Sequence, residues 1–429
     1  MATLAQAQQP DTLWSLDACI RYAQQRNIDV QQQSLEVEKS DVELSTARYS
    51  RLPDLNAAVG YNVSFGRGTS ADNIRKTETL QTGSFDLSTS VPLFQGWGIN
   101  RRIKGGKLDL AAAVEELGRA REDVAVQVTT LYLTVLYNKE LVEVAERQLG
   151  LSRQQSARSR ELVAAGKEPE SVLYESEALA ANDALTLARA RNDLQLALLD
   201  LSQALNRPSA AGFDILTPQL DSVTLASLHR LGSVEAVYNY ATEHQPRIRA
   251  GRLRLESSEN AVKIARSALY PSLALRAGFG TGIYSSLDQD FWPQFDKNKS
   301  EFVGLSMNIP IFNRRATHNN IRMARLSVRA RQLALADAEQ TLRKEIEQAW
   351  YNADAAYNQY RSALVALDAA RIAFSAIECR AEAGRATLYD FADAKTRMEK
   401  AESDLTRAKY EFLFRQKLLD YYRGEPLTL

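Results

Sequence analysis

Asp390 and Asp393 are the ionisable residues whose spacing most suggests a function, because they lie three positions apart. Side chains with this spacing share one face of a helix. If several copies of the chain surround one axis, the two aspartates form two stacked rings of carboxylates. Such rings either take up protons, because like charges disfavour each other's ionisation, or attract cations. The alternative is that both aspartates are ordinary solvated residues on a helix surface.

Other residue types that carry chemistry do not combine into a site. The histidines His229, His244 and His318 are dispersed, without cysteine, aspartate or glutamate neighbours at metal-ligand spacing. Cys19 and Cys379 fit no metal spacing, and sequence alone does not decide whether they form a disulfide. Phosphate-binding loops, nucleophile elbows and zinc-protease motifs are absent from the sequence. We therefore expect no enzymatic activity, no metal and no cofactor.

The composition is that of an ordinary folded protein of 429 residues, with 25% charged and 45% hydrophobic residues. Acidic and basic residues balance at 53 each, which gives no electrostatic reason to expect nucleic acid as a partner. No stretch approaches the roughly 20 consecutive apolar residues of a membrane-spanning helix. This excludes a helical membrane protein but not a barrel of alternating strands.

An internal repeat organises the chain. Residues about 16–201 align without a gap to 234–419, at a constant offset of 218 positions. Repeats of this kind must be found before a fold is assigned. The register includes scarce residue types whose chance alignment is improbable: Pro53 with Pro271, Gly60 with Gly278, Pro92 with Pro310, and Gly166 with Gly384.

Each copy of the repeat has the pattern helix, strand, loop, strand, long helix, tight turn, helix. Proline interrupts helices, so Pro53, Pro92, Pro271 and Pro310 are expected at the transitions between helix and strand. The first repeat is predicted over 13–206, with strands 54–66 and 83–94, and the second over 233–423, with strands 272–284 and 301–312. A linker or equatorial segment over 207–232 joins them. Tails are predicted over 1–12 and 424–429. The segment Ala5-Gln6-Ala7 resembles the end of a secretory signal, so 1–12 is either a signal remnant or a simple disordered tail.

The four predicted strands alternate between an apolar and a small or polar face. The apolar positions are Leu55, Ala57, Val59, Tyr61, Val63 and Phe65; Phe85, Leu87, Thr89, Val91 and Leu93; Leu273, Leu275, Ala277, Phe279 and Ile283; Val303, Leu305, Met307, Ile309 and Ile311. Strands of about ten residues with this pattern are typical of a transmembrane barrel with lipid outside and a polar lumen. A soluble, half-buried sheet would alternate in the same way.

The helices are unusually long. About 60 residues from Asn100 to Val163 contain no proline, which corresponds to about 90 to 100 Å of helix. Apolar residues of the second copy follow the 3–4 spacing of a coiled coil, which is also compatible with an ordinary bundle core or a filament. Each long helix is followed by a tight turn, at Gly166-Lys167 and at Gly384-Arg385. Each copy therefore contains an antiparallel helical hairpin with glycine at its tip.

Taken together, these features resemble the outer-membrane efflux protein (TolC) family over nearly the whole chain. The resemblance rests on the duplication, on Leu52-Pro53 and Tyr270-Pro271 before strands, on Val91-Pro92-Leu93-Phe94 and Ile309-Pro310-Ile311-Phe312 after them, and on the run Ala383–Ala394 with its two aspartates. It implies a mainly α protein with a β-barrel part: a homotrimer in which four strands per protomer form a twelve-stranded barrel and the long hairpins form an α-helical tunnel.

The resemblance also implies a function and a location. The expected protein is a passive exit duct for efflux or type I secretion, in the outer membrane of a Gram-negative bacterium and extending into the periplasm. Its expected partners are an inner-membrane transporter, outer-membrane lipid and a periplasmic adaptor. The adaptor is expected to dock at Gly166, Lys167, Gly384 and Arg385, and the entrance is expected to be ringed by Asp390 and Asp393.

The sequence departs from the family at the entrance. The position three before the second tip glycine, often tyrosine in the family, is Ala381, and the first-copy position that matches Asp390 is Val172. The resemblance therefore does not carry over the family's tyrosine–arginine–aspartate latch. The alternative function is a soluble coiled-coil scaffold, which the four alternating strands at equivalent repeat positions disfavour. The cargo, whether drug, metal or polypeptide, is not identified by the sequence.

Overall fold

The computed structural model describes residues 13–69, 75–77, 79–218, 231–285 and 290–428. The predicted tail 1–12, residues 219–230 of the predicted linker 207–232 and His229 lie outside these residues. The chain forms two compact units, which alternate along the sequence. The sheet unit comprises 36–114 and 250–336, and the helical unit comprises the described residues up to 35, then 115–249 and 337–428.

The first copy contains the helices α1 (Leu16–Arg26), α2 (Ile28–Tyr49), α3 (Gly98–Ala164) and α4 (Glu170–Ala204), with strands β1 (Asp54–Ser64), β2 (Arg67–Thr69), β3 (Arg75–Thr77) and β4 (Leu80–Gln95). The second contains α5 (Val234–His244), α6 (Pro246–Ser267), α7 (Phe291–Lys297), α8 (Ala316–Glu382) and α9 (Leu388–Tyr422), with strands β5 (Ser272–Tyr284) and β6 (Ser300–Asn308). Helices α1 to α4 begin and end 218 residues before α5, α6, α8 and α9, so the sequence repeat is a structural duplication.

The chain is therefore mainly helical, with one four-stranded antiparallel sheet in the order β1–β4–β5–β6. Strands β2 and β3 form a separate small ribbon. No helix in the described ranges is long and apolar enough to cross a membrane.

The register of the sheet brings most of the predicted apolar positions onto one face. The exceptions are Phe65, Ile309 and Ile311, which lie outside the strands, and Leu93, since Phe94 lies opposite Leu273 beyond the bulge. Val59 lies opposite Phe85, and Phe85 lies opposite Thr281. Leu275 in turn lies opposite Leu305. Because side chains alternate along a strand, one such row of paired residues determines which face each remaining residue of the strands occupies. This apolar face is largely uncovered in the described chain, with 73% of Val59 and 67% of Leu305 exposed.

The opposite face carries small and polar residues. Ser88 of β4 lies opposite Gly278 of β5, which lies opposite Phe302 of β6. A Cβ atom at Gly278 would be 2.5 Å from the Phe302 ring, so the ring occupies the space that the glycine leaves. Phe302 is thus a large apolar side chain on an otherwise small and polar face.

The prolines that were expected at the transitions between helix and strand do not all lie there. Pro53 and Pro271 directly precede β1 and β5. Pro92, however, lies inside β4, at a bulge where the pairing with β5 skips from Pro92 to Phe94. The bulge accommodates a residue that has no N–H to donate. Strand β6 ends at Asn308, four residues short of its predicted end, and Pro310 lies in the irregular segment before α8.

The turn from β4 into α3 is made by Gly96 and Trp97, whose φ angles are 57° and 61°. A Cβ atom at Gly96 would lie 2.6 Å from the Ser267 carbonyl oxygen, so both the backbone conformation and the space require glycine. The actual signal for this transition was therefore the glycine after the strand and not the proline within it.

The core of the helical unit contains the predicted apolar seam of α8. Buried members of this seam are Leu342, Ile346, Ala349, Ala353, Ala356, Tyr360 and Leu367. Residues of α3, α4 and α9 complete the main cluster, with Leu136, Leu201, Phe412 and Leu413 fully buried. Alanines along the seam permit close approach of neighbouring helices.

Candidate functional site

The two hairpin tips have the same local structure. In the first, the N–H of Lys167 donates to the Leu162 carbonyl at 2.9 Å, and the N–H of Gly166 donates to Val163 at 2.9 Å. In the second, Arg385 donates to the Arg380 carbonyl at 2.8 Å and Gly384 donates to Ala381 at 3.0 Å. This is the Schellman arrangement that ends many helices.

The tip glycines are explained by this helix cap. Their φ angles are 70° at Gly166 and 71° at Gly384. A Cβ atom at either position would meet nothing within 4 Å, so the backbone conformation alone requires glycine. Lys167 and Arg385 are both exposed beside the caps. Each tip therefore presents a rigid turn with one cationic side chain available for contact.

Asp390, one of the two candidate ring residues, belongs to a capping box at the start of α9. Its N–H donates to Thr387 Oγ1 at 3.1 Å, and its carboxylate accepts from the Thr387 N–H at 3.0 Å and hydroxyl at 2.7 Å. The side-chain and then the backbone hydrogen bond from Thr387 hold the pKa of Asp390 below its usual value. The stability that the cap gains from this ionised carboxylate is present above the pKa of the unfolded chain and is lost as the pH falls through the lower, folded pKa.

Asp393, the second candidate ring residue, forms an ion pair with Arg397 at 2.7 Å on the same helix. Both aspartates are therefore engaged within the protomer, one by a cap and one by an exposed ion pair. The hydrogen bonds from Thr387 favour the ionised form of Asp390, and Asp393 is paired with Arg397. The neighbouring Phe391 is buried against Phe374, with ring centroids 5.5 Å apart.

A buried charge cluster lies further along α9, and the sequence analysis did not predict it. Lys395 is only 1% exposed, and its ammonium group lies 2.5 Å from both Asp183 of α4 and Glu399 of α9. Ser152 of α3 donates a further hydrogen bond to Asp183. Burial raises the pKa of Glu399, and its contacts with Lys395 oppose that effect. The cluster joins three helices: Lys395 links α9 to α4, and Asp183 links α4 to α3.

Two further residues of α9, Glu402 and Lys409, form ion pairs at intervals of seven residues from Lys395. Glu402 lies 2.9 Å from Arg147 of α3 and 3.4 Å from Arg371 of α8. Lys409 lies 2.8 Å from Glu140 of α3. A spacing of seven returns a side chain to the same helix face. The signal was therefore present in the sequence as Lys395, Glu402 and Lys409, although nothing in it identified their partners.

Other candidate groups remain separate in the structure. Cys19 is buried, Cys379 is exposed, and neither forms a disulfide. Within the described ranges, no group of three or more histidine, cysteine, aspartate or glutamate side chains is arranged to hold a metal ion.

Comparison with known proteins decides the family. The model of the outer membrane efflux protein family matches residues 19–207 and 237–422, which are the two copies of the repeat. The chain belongs to the outer membrane efflux protein family. The TolC resemblance inferred from the sequence is thereby confirmed.

Relatives in this family share low sequence identity over most of the chain. The outer membrane efflux protein BepC of Brucella suis is 21% identical over 87% of this chain and 80% of its own. The outer membrane protein TolC of Vibrio cholerae is 21% identical over 94% of this chain and 89% of its own. The solved structure of the Campylobacter jejuni CmeC outer membrane channel superposes with a TM-score of 0.81 at 16% identity, over 95% of this chain and 85% of that one.

Membership in the outer membrane efflux protein family confirms the predicted class of function and location. The chain is an outer-membrane channel protein of the efflux and secretion type, in a Gram-negative bacterium and extending into the periplasm. The family and its structural relatives are channels and not enzymes. Channels of this family act as trimers with adaptor proteins and inner-membrane transporters.

The buried cluster around Lys395 leads to a stability prediction. Replacing Lys395 with methionine leaves the carboxylates of Asp183 and Glu399 without their cation. We expect a loss of about 3–5 kcal/mol in the free energy of unfolding at neutral pH. The loss should shrink as the pH falls, because protonation then neutralises the unpaired carboxylates. Urea unfolding of the detergent-solubilised protein, followed by circular dichroism, measures both effects.

The matched control for this substitution is Arg397→Met, two residues further along the same helix. Arg397 also forms an ion pair four residues apart, but its side chain is 76% exposed. Exposed pairs of this kind contribute about 0.2–1 kcal/mol. Equal destabilisation by the two substitutions would show that burial of the Lys395 cluster has no special importance.

Proposed function

We propose that three copies of this chain close into one duct, with a twelve-stranded barrel made from three four-stranded sheets. The observation that carries this proposal is the uncovered apolar face of the sheet together with its two open edges, at β1 and β6. A sheet in lipid must have every edge strand paired, because lipid offers no hydrogen bonds to free N–H and C=O groups. Pairing β6 of one copy with β1 of the next satisfies this requirement.

In this assembly the apolar face contacts outer-membrane lipid and the small, polar face lines the lumen. On the lumen side Ser88 is small, while the Phe302 ring lies over Gly278 and the Asp86 carboxylate lies beside Gly280. The proposed duct is passive, as expected of a channel of this family. An inner-membrane transporter provides the driving force, and the cargo is determined by that transporter and its adaptor.

Arginine substitutions on the two faces of the sheet test this function. Arginine at Val59 or Leu305, facing lipid, should cost about 2–4 kcal/mol if the site lies near the bilayer midplane. Arginine at Asn62 or Ser88, facing the lumen, serves as the control and should be tolerated far better. The measurement is the amount of trimer recovered from outer membranes on semi-native gels. Equal recovery of all four variants would contradict the barrel.

We further propose that the periplasmic adaptor docks at the hairpin tips. The support is chemical: the turns at Gly166 and Gly384 are rigid, solvent-exposed and alike, and each presents one exposed cation, Lys167 or Arg385. A rigid surface loses little entropy on binding. The duplication supplies two such sites per protomer, so a trimer offers six.

Bulky substitutions at the tips test the docking proposal. Tryptophan at Lys167 and Arg385 should abolish transport while trimer yield stays unchanged, because the cap hydrogen bonds use only backbone atoms of these residues. Tryptophan at Lys107, an exposed position of α3 far along the helix from its tip, is the control and should leave transport intact. Transport is measured as efflux or secretion in cells, and docking as site-specific cross-linking to the adaptor. Loss of the trimer itself would assign the tips a folding role instead.

The third part of the proposal is that Asp390 and Asp393 form the acidic entrance to the duct. Three copies place six carboxylates around one axis. The lowered pKa of Asp390 supports rings that stay ionised and attract cations. Replacing both aspartates with asparagine should lower cation preference and weaken block by multivalent cations in planar-bilayer recordings.

The capping role of Asp390 requires a control for this double substitution. Thr387→Ala removes the hydroxyl partner of the capping box but keeps both carboxylates. It should therefore weaken the start of α9 by about 1 kcal/mol without changing ion selectivity. Unaltered selectivity and block in the double aspartate variant would show that the carboxylates do not line the entrance.

A further inference from the structure

The loop between β5 and β6 contains a short helix, α7, that is held firmly on the sheet. Strand β6 begins at Ser300, opposite Gly280, so residues 281–284 of β5 extend beyond it. The N–H of Tyr284 donates to the side-chain oxygen of Gln294 at 2.8 Å, and the side-chain amide of Asn298 donates to the Gly282 carbonyl at 2.6 Å. The side chains of Gln294 and Asn298 thus form hydrogen bonds with backbone groups of β5 that β6 does not reach.

Helix α7 lies on the apolar face of the sheet. Thr281, which shares that face with Phe85 and Val59, donates its hydroxyl to the Phe295 carbonyl at 2.8 Å. The Phe85 ring packs edge-on against Phe295, with centroids 5.8 Å apart. Thr281 is buried beneath the helix, and Gln294 is the buried side chain of the helix itself. These contacts place the helix on the lipid side of the proposed barrel and not over its lumen.

Two of the three aromatic side chains of α7 contact Phe85 of the sheet, and the third does not. Phe295 and Phe291 both contact Phe85. Trp292, in contrast, contacts only its aromatic neighbours Phe291 and Phe295 among the ring contacts described, and 74% of it is exposed. The adjoining ion pair of Asp296 with Lys299 gives the helix a polar border. An exposed tryptophan with apolar neighbours and a charged border is typical of the boundary between lipid headgroups and acyl chains.

We propose that α7 is an outer-leaflet anchor, in which Trp292 inserts at the level where lipid headgroups meet acyl chains. This inference rests on the proposed function, because it takes the apolar face of the sheet as the lipid-facing one. The helix is continuous with that face and covers its end nearest the β5–β6 loop. Its hydrogen bonds to β5 hold Trp292 at a fixed height relative to the strands. The anchor therefore sets how far the barrel sits out of the membrane.

The depth of residue 292 tests this proposal directly. A nitroxide label is attached to Trp292→Cys in a Cys379→Ser background, with the buried Cys19 retained, and the trimer is reconstituted in vesicles that contain lipopolysaccharide. Collision of the label with oxygen, which concentrates in lipid, is compared with collision with a water-soluble nickel chelate. The same label at Leu305 and at Ser88 provides the lipid-facing and lumen-facing references.

We expect the oxygen-to-nickel collision ratio at residue 292 to lie between the ratios at Leu305 and Ser88. A ratio equal to the one at Ser88, with high nickel collision, would overturn the anchor by placing Trp292 in water. Low collision with both reagents would overturn it by placing Trp292 against a neighbouring protomer. Similar ratios at Leu305 and Ser88 would instead contradict the barrel itself, so the two failures are distinguishable.

A second measurement leaves residue 292 free of a label. Lipids brominated near the carbonyl quench tryptophan emission only at short range. Part of the tryptophan emission of the unsubstituted trimer should be quenched in such vesicles, and Trp292→Tyr should remove that quenched part. Lipids brominated near the chain end should quench the emission of Trp292 less. An unchanged quenched fraction in Trp292→Tyr would contradict the placement of Trp292 at the lipid boundary.

Discussion

The register of the four antiparallel strands is the constraint on which the sheet unit depends. A slip of one residue between two strands would move every apolar side chain of one strand to the opposite face. The observed pairing instead aligns Val59, Phe85 and Thr281 in one row, and Leu275 with Leu305 in another. The proposed lipid-facing and lumen-facing surfaces and the position of α7 all follow from this alignment. Glycine at 278, with Phe302 packed over it, shows that even the small face is specified residue by residue.

In the helical unit the constraint is the axial register of the long helices. Helices with alanine-rich seams can shift along one another at a small cost in free energy. Ion pairs at Lys395, Glu402 and Lys409 oppose this sliding. A shift of one helical turn would separate each charge from its partner on α3 or α4, and an unpaired buried charge is expensive. The apolar seam of α8 thus supplies the burial, while the charges of α9 select one register. Two carboxylate partners, Asp183 and Glu399, also explain why the charged side chain of Lys395 can be almost completely buried.

The ends of the hairpins combine local stability with exposure. Backbone hydrogen bonds at Gly166 and Gly384 complete the caps and leave the side chains of Lys167 and Arg385 in solvent. Beyond the second tip, the Thr387–Asp390 capping box starts α9 and keeps a carboxylate ionised. The docking proposed at the tips needs this combination, since a preorganised surface loses little entropy on binding.

The sequence by itself determined the duplication, the helical hairpins and the alternation of the strands, because period, proline and glycine are local properties of the chain. It also identified the family, since those signals recur at a constant offset of 218 residues. It misplaced Pro92, because a bulge depends on the neighbouring strand and not on the proline alone. Only the tertiary structure decided which partners surround Lys395 and that α7 lies on the apolar face. Each of these depends on contacts between residues far apart in the chain or on side-chain rotamers, and neither leaves a periodic signal in the sequence.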